Sequence, residues 1–189
     1  QMAGYDSHQY TNIRYPFPFD PPYIPQDIPC GAYVHTFTYQ KEEKAPKAFL
    51  NFEGVDSCFF VWMNGTYVGY SQVSHATSEF DVTSVLKDGD NTIAVLVLKW
   101  CDGSYLEDQD KFRMSVIFRD VYLLKSPEKT IRDYHITTKV TNDSATVIMD
   151  IRFTNPVETK IQIEDKYGAI VADGEIGKDG VVEFTVVNP

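Results

Sequence analysis

Long apolar runs are missing from this sequence. No stretch reaches the roughly 18 apolar residues that a membrane-crossing helix needs, so no helical span is expected. The opening residues Gln1-Met2-Ala3-Gly4-Tyr5-Asp6 lack the basic start and apolar core of a secretory leader. Cysteine is scarce, with Cys30, Cys58 and Cys101 widely spaced and odd in number. That pattern fits neither a disulfide framework nor a Cys-x-x-Cys zinc site, and it favours a reducing cytoplasm. Cys58, inside Cys58-Phe59-Phe60-Val61-Trp62, reads as a small buried apolar residue. Positive charge is also in short supply. Lysine and arginine total 17 against 27 acids, a net charge of −10. Such a chain repels phosphate backbones, which excludes nucleic acid as an expected partner.

Familiar catalytic signatures are missing as well. There is no Gly-x-Ser-x-Gly elbow, His-Glu-x-x-His pair, phosphate loop or dinucleotide glycine fingerprint. The histidines His8, His35, His75 and His135 have no metal-ligand spacing. His35 and His135 fall in strand-like runs and read as strand residues with satisfied ring nitrogens.

What the sequence does contain is β-forming residues from end to end. Ala32 to Tyr39, Lys47 to Glu53 and Phe118 to Leu124 are dense in aromatic and β-branched side chains. Phe59 to Met63, then Asn64-Gly65, then Thr66 to Tyr70 predicts a hairpin, because Asn-Gly supplies the positive φ angles of a type I′ turn. Asn64-Gly65-Thr66 also spells a glycosylation sequon, but the turn reading is stronger. Asn91 to Lys99 is apolar almost throughout and reads as a strand buried on both faces. Ser78 to Leu86 reads as a short extended piece leading into a single turn.

Lys125-Ser126-Pro127-Glu128-Lys129 marks a soft boundary between two β-rich blocks. Beyond it, Ile131 to Val140, Thr146 to Phe153, Lys160 to Asp165, Ala169 to Ile176 and Val181 to Val187 resemble the strands of an immunoglobulin-type sandwich. They fall short of the usual complement of about seven, so an unpaired sheet edge is expected.

Two regions carry candidate chemistry. The run from Trp100 to Met114 holds the carboxylates Asp102, Glu107, Asp108 and Asp110 among Trp100, Tyr105 and Phe112. Acids that accept from sugar hydroxyls, and rings that cover apolar C–H faces, suit a carbohydrate rim. Composition alone slightly favours a structural loop in which Arg113 and Arg119 neutralise the acids. Acids so close together on one loop do not suit a pair flanking a glycosidic bond, so no catalytic residue is expected in this chain. The second region, Tyr10 to Tyr23, is proline-rich and reads mainly as a strap across a sheet. Asn12 stands out there, because its amide can both donate to and accept from a hydroxyl.

Together these regions resemble the β-galactosidases of glycoside hydrolase family two, the bacterial lactose-hydrolysing type. The likeness runs through Gly4-Tyr5-Asp6, Tyr10-Thr11-Asn12, Tyr15-Pro16, Pro21-Pro22, Gly54-Val55-Asp56-Ser57, Val68-Gly69-Tyr70, Ser78-Glu79-Phe80-Asp81, Asp102-Gly103-Ser104-Tyr105-Leu106-Glu107-Asp108-Gln109-Asp110 and Ile117-Phe118-Arg119-Asp120-Val121. It covers about residues 1–133 and is most specific at Asp102–Asp110. Phe112, Val116 and Cys101 depart from it, standing where tryptophan, glycine and often serine are usual.

The resemblance implies an all-β chain: a jelly-roll, galactose-binding-domain-like sandwich over residues 1–126, then an incomplete immunoglobulin-like sandwich over 127–189. It implies a piece cut at both ends, lacking the TIM barrel whose glutamates perform retaining hydrolysis of terminal β-D-galactosides such as lactose. By the same resemblance Asn12 and Asp110 are substrate-binding residues and Asp110 also ligates sodium. The intact enzyme is expected to be a homo-oligomer holding sodium and magnesium. A free-standing carbohydrate-binding module and a purely structural β-sandwich are the alternatives.

Overall fold

The computed structural model describes residues 4, 6–7, 9–10, 15–107 and 110–187. The chain divides into two compact units, Gln1–Ser126 and Pro127–Pro189. Both are built from antiparallel strands.

The first unit contains β1 (Gln9–Tyr10), β2 (Cys30–Tyr39), β3 (Lys47–Phe52), β4 (Val55–Asp56), β5 (Cys58–Met63), β6 (Thr66–Ser71), β7 (Ser78–Asp81) and β8 (Gly89–Leu98). After a one-turn 3-10 helix (Asp102–Leu106) come β9 (Phe112–Arg113), β10 (Val116–Ile117) and β11 (Val121–Ser126). A four-stranded sheet, β2-β8-β5-β6, faces a three-stranded sheet, β11-β3-β7. Between them lies the core of Leu50, Phe52, Phe59, Val61, Met63, Val82, Ile93, Val95 and Val97. Phe52 and Phe59 pack with ring centroids 4.8 Å apart, and Phe80 meets both edge-on, an arrangement favoured by the ring quadrupoles.

The hairpin forms as predicted. Asn64 and Gly65 have φ of 53° and 81° between β5 and β6. Asn64 does more than turn the chain. Its side-chain nitrogen donates to Val85 O (2.9 Å) and Asn91 Oδ1 (2.8 Å), and its Oδ1 accepts from Thr92 N (3.0 Å). The amide is committed to the fold, which disposes of the sequon.

The expectation for β8 needs correction. It is the central strand, paired with β2 and β5, but its two faces are not equivalent. Asn91, Ile93, Val95 and Val97 are buried in the core, whereas Ala94, Leu96 and Leu98 on the other face are half-buried. Leu98 there shares a cavity wall with Pro22 and Ile24 of the proline-rich segment. Phe118 to Asp120 also fall outside β11. They join the edge through Phe118 N to Gly54 O and Glu53 N to Asp120 O, each 3.1 Å.

The second unit contains β12 (Ile131–Val140), β13 (Ser144–Phe153), β14 (Thr159–Glu164), β15 (Ile170–Ile176) and β16 (Gly180–Val187). Sheet β12-β13-β16 accompanies the pair β14-β15 around Ile151, Phe153, Ile161 and Phe184. β12 is at an edge and exposed at all ten residues. His35 and His135 both lie on strands and are exposed.

Candidate functional site

The acidic-aromatic run begins where β8 ends. Cys101, in extended conformation, precedes the single 3-10 turn from Asp102 to Leu106, and Glu107 closes it with Glu107 N donating to Ser104 O (3.3 Å). The proline-rich segment folds against this turn through its rings. Tyr15 stacks on Tyr105 with centroids 5.5 Å apart and planes at 8°, and the Tyr15 phenol donates to Ser104 O. Phe17 meets Trp100 edge-on at 5.2 Å, and Phe19 meets Tyr105 at 5.4 Å. Trp100 is therefore buried under Phe17 rather than presented as a platform.

The carboxylates of the run separate into two kinds. Glu107 is buried. It accepts from Ser74 N (3.1 Å), Ser74 Oγ (2.7 Å) and Ser57 Oγ (3.4 Å), and it pairs with Arg113 at 3.3 Å and Lys111 at 3.8 Å. Asp102 and Asp110 are exposed; Asp108 lies outside the described residues. The neutralising role expected of Arg113 is thus real for Glu107. Arg119 instead reaches Glu53 O and the Phe118 ring.

Beneath the run lies a polar nest. Lys111 Nζ donates to Ser74 Oγ (2.8 Å), approaches His75 Nδ1 (3.2 Å) and pairs with Asp56 Oδ1 at 3.5 Å. Burial pushes the Asp56 carboxyl above its ordinary range despite the nearby lysine, and burial likewise lowers the Lys111 ammonium. His75 is lowered too, by desolvation and by the Lys111 charge. Asp56, Ser57 and Ser74 were not singled out as functional from sequence. The available signal was an acid and a serine interrupting the apolar run from Val55 to Val61.

Asp110 sits at the exposed end. β1 and β9 pair Tyr10 opposite Phe112 and Gln9 opposite Arg113. The Tyr10 phenol donates to Asp110 Oδ1, and the Tyr10 and Phe112 rings lie 5.7 Å apart. The two regions chosen from sequence are therefore joined in space at Tyr10 and Asp110. Asn12 lies outside the described residues. An exposed carboxylate beside a phenol and an uncovered ring offers oxygen acceptors to a hydroxyl or a hard cation. No three His, Cys, Asp or Glu side chains among the described residues cluster as a metal-binding group.

An antiparallel sandwich with such a rim is an architecture of carbohydrate-active proteins, and comparison makes the class specific. Residues 1–127 match the model for the glycosyl hydrolases family 2 sugar binding domain. The chain belongs to that family. Among its relatives, a β-galactosidase of Actinobacillus pleuropneumoniae is 60% identical over 136 residues, 72% of this chain and 13% of that protein. A β-galactosidase of Staphylococcus xylosus is 46% identical over 191 residues, 100% of this chain and 19% of that one. The chain thus spans less than a fifth of the length of these relatives.

Solved structures agree on the fold. A β-glycosidase from Bacteroides vulgatus superposes with a TM-score of 0.68 at 27% identity, covering 85% of this chain and 21% of that one. A β-glucuronidase from an uncultured Clostridium species does so with a TM-score of 0.69 at 20% identity, covering 86% and 30%. Among the described residues no helix is long and apolar enough to cross a membrane.

Proposed function

We propose that this chain is the non-catalytic, sugar-binding and scaffolding part of a retaining β-galactosidase acting on terminal β-D-galactosides such as lactose. Asp110 and Asn12 contribute contacts to galactosyl hydroxyls, and Asp110 also ligates sodium, at an active site whose catalytic glutamates lie in a TIM barrel beyond this sequence. Magnesium belongs to that barrel, and the whole enzyme is a homo-oligomer.

The observation that carries this reading is the contrast between Glu107 and Asp110. One acid is buried in a cage of donors and anchors the loop; the other is exposed at its tip and held by Tyr10. A buried anchor supporting an outward carboxylate is how a rigid contact to a ligand is built. Sodium suits the donor chemistry, since a hard cation takes oxygen ligands. Neither alternative fits as well. A free-standing module would present Trp62 or Trp100, yet Trp100 is buried and Trp62 half-buried. A purely structural sandwich would enclose Asp110, which is exposed.

The test is to incubate the purified chain with o-nitrophenyl β-D-galactoside and, separately, to titrate it with galactose while following tryptophan fluorescence. No hydrolysis and at most weak binding are expected. Cleavage by the chain alone would contradict the reading, and tight saturable binding would favour the free-standing module.

A further inference from the structure

Two of the three cysteines, Cys58 at the start of β5 and Cys101 after β8, line the wall of one cavity. Cys58 pairs across from Leu98 in the β5–β8 ladder, and Cys101 follows Leu98 by three residues. The Cys58 thiol donates to the Trp100 carbonyl at 4.0 Å, beside the peptide that leads into Cys101. The Cys101 sulfur has further polar neighbours: Ser104 Oγ donates to it at 3.9 Å and Ser57 Oγ lies at 3.9 Å. Both cysteines line an open cavity of about 600 Å³, together with Phe60, Tyr67, Tyr70 and Trp100.

We propose that Cys58 and Cys101 form a dithiol modification site that a hydroperoxide closes to a disulfide. The donors around Cys101 stabilise a thiolate, and thiolate is the nucleophilic form of cysteine. The neighbouring Cys58 thiol, assisted by Ser104 and Ser57, outweighs burial and draws the Cys101 thiol down to about 6, while the Cys58 thiol is pushed up. The other titratable groups lining the cavity are Tyr67, Tyr70, whose hydroxyl donates to Gln72 Oε1 at 2.7 Å, and Asp102.

In the first step the Cys101 thiolate attacks one peroxide oxygen, the O–O bond breaks, and the departing hydroxide is protonated to water. Cys58 sulfur then attacks the resulting sulfenic sulfur, the S–O bond breaks, and the hydroxyl leaves as a second water with the Cys58 proton. Two thiols lose two electrons and the peroxide gains them. The site sits at the root of the acidic loop, because Ser57 touches both Cys101 and Glu107. Exposed Cys30 provides an internal reference.

The experiment treats the intact protein at pH 6.5 with a few-fold excess of hydrogen peroxide, then alkylates, digests and identifies peptides by mass spectrometry. A Cys58–Cys101 linked peptide is expected, reversible by dithiothreitol and formed roughly tenfold or more faster than Cys30 is oxidised. Cys30→Ser leaves the link intact. Cys101→Ser keeps a polar group at the turn and leaves Cys58 reduced. Cys58 and Cys101 both remaining alkylatable after unfolding, while Cys30 is oxidised, would overturn the proposal. Oxidation of Cys101 beyond sulfenic acid with Cys58 left free would also overturn it.

Discussion

Tyr10 and Asp110, separated by 100 residues in the chain, are joined by a hydrogen bond from the phenol to the carboxylate. The short β1–β9 pairing makes this possible by setting Tyr10 opposite Phe112. The carboxylate accepts the phenol's hydrogen bond, and the Tyr10 phenol is raised above its ordinary value by that hydrogen bond first. A phenolate next to Asp110 would be opposed by the acid's charge. Ultraviolet titration of Asp110→Asn should show one tyrosine ionising at lower pH than in the wild type. Superimposable curves would contradict the pairing.

Glu107 anchors the same loop from below. Glu107→Ala would remove the carboxylate that pairs with buried Arg113 and with half-buried Lys111, which keeps Asp56. Breaking a buried pair from one side costs about 3–5 kcal/mol, so the urea midpoint should fall steeply. A change within about 0.5 kcal/mol would show that the cage is not an anchor.

Acid should act through Asp6. Lys99 is fully buried and its ammonium lies 2.6 Å from Asp6 Oδ1. Burial alone would raise the Asp6 carboxyl, but hydrogen bonds from Lys99, Ser7 N and Ser115 and the lysine charge leave it below its ordinary value. A carboxyl lowered in the fold contributes stability that is present above its unfolded pKa and lost as pH falls through its folded one. Stability measured from pH 5 down to 2 should therefore decline on this account, and Asp6→Asn should flatten that part of the curve. Equal slopes in both proteins would rule the pair out as a source of acid sensitivity.

Phe52 tests the core. It is 1% exposed and packs on Phe59 and Phe80. Phe52→Ala should cost about 3–5 kcal/mol, read from denaturant unfolding of the first unit. A loss under about 1 kcal/mol would place the core elsewhere.

The longer strands were legible because alternation, β-branched residues and the Asn64-Gly65 turn all point the same way. The pairings β1–β9 and β4–β10 were not, since two residues carry no periodicity; their partners come from distant parts of the chain. Asp110 was singled out from the other acids of its loop only through the family likeness. That Glu107 is buried while Asp110 is exposed could not be read from either residue, because both are acids on one loop. The difference is made by Ser57 and Ser74, more than thirty residues earlier in the chain. The apolar run of β8 misled in one respect, since it fits a strand half-buried on its second face as well as one buried on both.

The central claim is that the exposed Asp110 carboxylate serves a galactoside site. Its most direct test is the kcat/KM of the full-length enzyme for o-nitrophenyl β-D-galactoside, with and without Asp110→Asn, at saturating sodium. A fall of roughly 100-fold, equivalent to about 2.7 kcal/mol of transition-state stabilisation, is predicted. Wild-type kinetics in a folded Asp110→Asn enzyme would contradict it.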